Sequence, residues 1–270
     1  VQTYEHIARL REQGANIRVL AGNHEDFVIG YLTDGQHIWN SAQDISSIKG
    51  QGKWLLEFGE FVDPHLTDSV SRFTTTTRAD AMNTSQAVYD MAPADNILHS
   101  MRGSERGRVV LEEMSQMQLA EQIDDTLYVH TDPNHSMMRG IINGGVDNVN
   151  EVFQTNMRRR LLDWADPATL DDEFYQLRED FLSTGNGRAG TRRAEGINPM
   201  TEQDGINLRS RGINRIIHGH TDHSWDWSPQ TIMIGGVEVT SIDYSTFKIG
   251  TDTGTRSAGS IETDGTHVLK

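Results

Sequence analysis

The chain has 270 residues with a formal net charge of -15, and that length builds either one large α/β domain or two small ones around a substantial core. Its acidity argues against non-specific binding of nucleic acid, whose phosphates need clustered Lys and Arg. The absence of cysteine excludes disulfides, thiolate metal ligands and Cys nucleophiles, so any metal must be held by His, Asn, Asp or Glu.

The opening residues place Tyr4, Ile7 and Leu10 at helical spacing and reach Gly14, where a helix should stop. Ile17 to Leu20 follows as a short β-type run leading into Ala21-Gly22-Asn23-His24-Glu25. Residues 35–104 read as helices with a loop or cap-like insertion. Glu105 to Met117 carries Val109, Val110, Leu111 and Met114 in a helical pattern, and Met117 to Ile123 reads as a strand. Thr126-Leu127-Tyr128-Val129 is the clearest strand signal, ending in His130. Val149, Val152, Phe153, Met157, Leu161 and Leu162 keep helical spacing, and Leu170 to Leu182 reads as another helix. Gly185 to Pro199 lacks periodicity and reads as a loop. Ile213 to Ile217 is a strand leading into His218-Gly219-His220-Thr221. From Thr231 on, TIMI-GG-VEVTSI signals a hairpin, with short strands in STFKIG, SAGSIE and THVLK.

Three segments share one design: a short apolar run ending in a side chain able to bind metal. They are RVLAGNHE at Asn23 and His24, TLYVH at His130, and RIIHGHT at His220. In an open α/β sheet, residues leaving the carboxyl ends of strands converge on the crevice where such folds bind ligands.

GNHE, then a strand ending in VH, then GHT, followed by a β-rich C-terminus, resembles the phosphoprotein-phosphatase branch of the calcineurin-like metallophosphoesterases. The resemblance implies an α/β fold, a four-layer αββα sandwich of two mixed sheets with flanking helices. It implies one metallophosphoesterase domain over 1–270 with a helical insertion at about 134–200. It assigns Asn23, His130 and His220 to metal and gives His24 the catalytic role of donating a proton or hydrogen bond at the leaving group. The implied cofactors are two divalent ions, with manganese first and iron or zinc as alternatives. Such ions, about 3.5 to 4 Å apart, activate a water and clamp the phosphoryl oxygens. The implied reaction is hydrolysis of a phosphomonoester, phosphoserine or phosphothreonine in a protein or a small phosphoester. The alternatives are a dinucleoside-polyphosphate hydrolase and a non-catalytic binding or structural protein that keeps the fold.

The family's Asp-x-His and GD-x-x-DRG motifs do not precede GNHE here, so the reading expects the domain to be incomplete at its N-terminus. Asp63-Pro64-His65 matches the first motif literally, but Pro64 fits poorly at the end of a central strand. His218 and His223 flank His220 as possible second-layer supports, with packing or surface roles the stronger reading. His135 reads as loop polarity, and His99, His65 and His267 have no supporting constellation. Arg188, Arg192 and Arg193 lie where a phosphate-binding Arg is expected, although solvated loop charge is the stronger reading. Trp225, Trp227 and Tyr244 are candidates for the pocket wall, with core packing as the alternative. No apolar run approaches the roughly 18 residues of a membrane span. With no leader visible before Val1, a cytoplasmic protein without nucleic-acid or membrane partners is expected.

Overall fold

The computed structural model describes residues 1–34, 56–66, 90–182, 199–219, 230–241, 260–263 and 266–269. It is a mixed α/β protein with a five-stranded mixed sheet, a two-stranded hairpin and several helices. The chain divides into two compact units: Val1–Ala15, His24–Gln116 and Asn156–Leu170 form the first, and Asn16–Asn23, Met117–Thr155 and Asp171–Lys270 the second. Among the described residues no helix is long and apolar enough to cross a membrane.

The first unit is helical. Helix α1 (Gln2–Glu12) ends just before Gly14, whose φ of +89° suits a residue without a Cβ. Helix α2 (Asn23–Asp34) buries Ile29 and Leu32, α3 (Ala94–Gly103) buries Ile97, Leu98 and Met101, and α4 (Glu105–Ser115) buries Val110, Leu111 and Met114. The Ser104 hydroxyl accepts from the Gly107 amide and caps α4. Gly107 lies so close to α3 that a Cβ there would come within 2.2 Å of the Met101 carbonyl oxygen. Buried Arg160 closes the C-terminal end of α2, donating to the Leu32 and Thr33 carbonyls at 3.1 Å each and pairing with Asp95 at 2.6 Å. Those carbonyls belong to the last turn, where helical partners run out. Asp63-Pro64-His65 forms a turn in which the Asp63 carboxylate accepts from the His65 amide, so it is not a strand end.

The second unit holds the main sheet. Strands β1 (Ala120–Ile123), β2 (Thr126–Val129), β3 (Arg215–His218), β4 (Gln230–Ile234) and β5 (Val237–Ser241) lie in the order β1-β2-β3-β5-β4. The β2–β3 and β3–β5 pairs are parallel, while the two hairpins are antiparallel. Every residue of β2 is buried, as expected for a central strand with both faces covered. Gly235 and Gly236, at φ of +58° and +80°, make the tight turn between β4 and β5. Strands β6 (Ser260–Thr263) and β7 (Thr266–Leu269) form the separate antiparallel hairpin.

Helix α5 (His135–Leu161) is broken at Gly145, whose φ of 84° and ψ of 165° are not helical. It begins well before the apolar periodicity that announces it, because the Asn134 side chain accepts from the Met137 amide and caps it. Helix α6 (Asp172–Phe181) sets Phe174 against Phe153 of α5, ring centroids 5.7 Å apart. Helix α7 (Glu202–Ser210) rests Gly205 directly on the β4–β5 turn.

One expected strand is corrected. Ile17 to Leu20 contributes only a parallel bridge from Leu20 to Gln118, and α2 starts at Asn23. In a parallel ladder continued back from the Leu20–Gln118 bridge, Ile17 to Val19 would lie beside residues 115–117, the end and exit of helix α4 rather than a strand. The buried Asn150 side chain, accepting from the Leu119 and Ala120 amides and donating to the Ala120 carbonyl, takes the positions that residues after Leu20 would need. The expected strand at Met117 is also shorter, since β1 begins at Ala120. STFKIG lies outside the described residues.

Candidate functional site

The candidate site sits at the carboxyl end of the main sheet. Strands β2 and β3 run parallel with Val129 beside His218, so the residues leaving both strands emerge at one level. The Gly219 amide donates to the His130 carbonyl at 3.2 Å, joining the exit of β3 to that of β2. His130 is half-buried at this junction, and Gly219 leads directly to His220, which lies outside the described residues.

The segment that precedes Asn23 is tied to the sheet through the Leu20–Gln118 bridge, where it runs parallel to the chain entering β1. Ala120 faces Val129 in the β1–β2 ladder, so Gln118, two residues earlier, lies level with the exit of β2. Gln118 donates from its amide to the Val19 carbonyl at 2.9 Å and accepts at its carbonyl from the Ala21 amide at 2.8 Å. Asn23 follows two residues later as the first residue of α2. The backbone of Asn23 and His24 is described, while their side chains are outside the described residues.

Two histidine–carboxylate pairs lie in this unit, and one of them, Asp132–His218, stands at this end of the sheet. His218, 6% exposed, points Nδ1 at an Asp132 carboxylate oxygen at 3.1 Å and at the Gly219 carbonyl at 3.3 Å. Both partners are acceptors, so Nδ1 carries the proton. The pair ties the loop after β2 to the last residue of β3, with Asp132 two residues past His130 and His218 two before His220. His135, the first residue of α5, points Nδ1 at both Asp204 oxygens, at 2.8 and 3.1 Å. Asp204 also accepts from the amide and hydroxyl of Thr201 and completes a reciprocal cap on α7. Burial by itself would raise the Asp204 carboxyl, but the hydrogen bonds from His135 and Thr201 more than offset this and hold it below the usual range.

Neither pairing is read out in the sequence. Thr201-x-x-Asp204 has capping-box spacing, a signal that could have marked Asp204. The symmetric offsets of Asp132 and His218 become visible only once β2 and β3 are known to be neighbours. His99 sits edge-on to Trp164 with centroids 5.5 Å apart in the helical unit, and His267 is in β7. Arg188, Arg192, Arg193, His223, Trp225, Trp227 and Tyr244 lie outside the described residues.

Among the described residues no three His, Asp or Glu side chains gather into a metal-binding group. The expected donors are instead one amide oxygen and two imidazoles, a mixed oxygen and nitrogen set suited to borderline divalent ions. No protein-family model, curated protein or solved structure matches the chain.

Proposed function

We propose that this protein is a metal-dependent phosphoesterase of the calcineurin-like, phosphoprotein-phosphatase type, hydrolysing phosphomonoesters such as phosphoserine or phosphothreonine. The observation that supports this most is the common exit of β2 and β3, where His130 and Gly219 are hydrogen-bonded and His220 comes next. In this reading the five-stranded sheet is one of the two sheets of an αββα sandwich.

Of the two divalent ions, manganese by preference, Asn23, His130 and His220 would hold one. When bound, such ions supply a nucleophilic water at neutral pH and positive charge against the phosphoryl oxygens. A neutral amide and neutral imidazoles leave most of the ion's charge uncancelled, which suits it to that task. His24 follows Asn23 at the start of α2 and would serve the leaving oxygen by hydrogen bonding or proton donation. The Asp132–His218 pair would keep the two ligand-bearing exits at a fixed spacing.

The reading is tested by incubating the protein with Mn²⁺ or with EDTA and following phosphate release from a phosphoserine peptide and from p-nitrophenyl phosphate. Mn²⁺-dependent release is expected, falling by at least about 100-fold in His24→Ala, the lower end of what general acid–base catalysis contributes. Equal rates in Mn²⁺ and EDTA, or no release from either substrate, would overturn it. Cleavage confined to a dinucleoside polyphosphate would replace the substrate class.

A further inference from the structure

The sheet changes character along one face as it approaches its carboxyl end. Leu127, Ile216 and Val239 are register partners on adjacent strands and are almost fully buried, an apolar rung of the core. Two residues further along, the rung on the same face reads Ala120, Val129, His218 and Ser241, of which His218 and Ser241 are buried polar groups. Gln118 precedes this rung by two residues, across the bend at Leu119.

Gln118 is held firmly by its backbone on both sides of the Leu20 bridge, yet its side-chain oxygen is buried and has no hydrogen-bond partner. Among the described residues no other buried side-chain nitrogen or oxygen is left in this state. A buried acceptor without a donor costs about 1–3 kcal/mol, and such an atom calls for a missing water, ion or ligand. A carbonyl oxygen accepts hydrogen bonds and binds cations; it repels the oxygens of a phosphate.

Resting on the phosphoesterase reading, we propose that Gln118 supplies a further oxygen donor to the divalent cation at this end of the sheet. Its amide oxygen has the same donor chemistry as that of Asn23, three residues beyond the bridge partner Leu20. One amide and two imidazoles fall short of the six oxygen or nitrogen donors that an octahedral ion such as Mn²⁺ prefers. An orphaned acceptor level with the exit of β2 answers that shortage.

The test is Mn²⁺ affinity, measured by the loss of the free-ion electron paramagnetic resonance signal on titration, for wild type, Gln118→Met and Gln118→Glu. Gln118→Met keeps the length and apolar stem without the oxygen. It should weaken Mn²⁺ binding by about 10-fold or more, as losses around a metal site typically do. It should also raise the melting temperature of the metal-free protein, because the orphaned group is gone. Gln118→Glu keeps an oxygen and adds charge, so it should bind Mn²⁺ at least as tightly as wild type. If wild type binds Mn²⁺ and Gln118→Met binds it equally well, this inference falls and the phosphoesterase reading stands. If wild type takes up no Mn²⁺, both fall. Should Gln118→Met fail to fold, weaker binding in Gln118→Glu than in wild type would itself overturn the proposal.

Discussion

Replacing Asp204 with Asn tests the polar clamp that ties α7 to the first residue of α5. The carboxylate is 3% exposed and accepts from the Thr201 amide at 2.8 Å, the Thr201 hydroxyl at 2.7 Å and His135 Nδ1 at 2.8 Å. Those three bonds converge on one oxygen, and asparagine keeps one oxygen but loses the charge and sets an NH₂ group in the other's place. Hydrogen bonds to a charged group contribute about 1.5–3 kcal/mol each, so weakening this set should cost about 2–4 kcal/mol. Urea unfolding of wild type, Asp204→Asn, His135→Ala and the double variant measures both the loss and the His135–Asp204 coupling. The Asp204 carboxyl is held below its usual range in the folded state. Its contribution is therefore fully present above the unfolded value of about 3.9 and is lost as pH falls through the lower folded value. The gap between wild type and Asp204→Asn should close on acidification. A gap below about 0.5 kcal/mol at pH 7, zero coupling in the cycle, or a gap that widens towards low pH would refute the reasoning.

Gly205→Ala should destabilise the protein by about 2–3 kcal/mol, because the new methyl would lie 2.0 Å from the Ile234 carbonyl oxygen and backbone must shift to admit it. Gly103→Ala, where a Cβ meets nothing within 4 Å, is the control, and its unfolding midpoint should stay level or rise slightly. Arg160→Met should cost about 3 kcal/mol in urea unfolding, since it strips the Leu32 and Thr33 carbonyls of their donor. Faster amide exchange in the last turn of α2 should accompany that loss, and unchanged exchange there would argue against Arg160 as its cap.

The strands most visible in the sequence are those whose local chemistry agrees with their place in the sheet. Thr126-Leu127-Tyr128-Val129 is β-branched, aromatic and aliphatic, and it is buried throughout. The Gly235-Gly236 pair announces the β4–β5 turn because few other residues tolerate two successive positive φ values. The end of α1 is legible at Gly14 for the same reason. The Ile17 to Leu20 run is misleading because, in parallel register with Gln118, the residues opposite Ile17 to Val19 close helix α4 and offer no strand to pair with. The beginning of α5 escapes a hydrophobic-periodicity reading because a polar cap at Asn134 starts the helix. The candidate site is legible as strand-end residues, since His130 does follow β2 and His218-Gly219 does close β3. Its supporting pairs are not, because Asp132–His218 and His135–Asp204 join residues far apart in sequence.

Equilibrium dialysis of the protein against Mn²⁺, compared with a His130→Ala/His220→Ala double variant, tests the central claim most directly. Wild type should take up Mn²⁺ and the double variant should not, with both proteins folded by circular dichroism. No uptake by wild type, or uptake that the double variant retains undiminished, would contradict a metal site at the carboxyl end of β2 and β3.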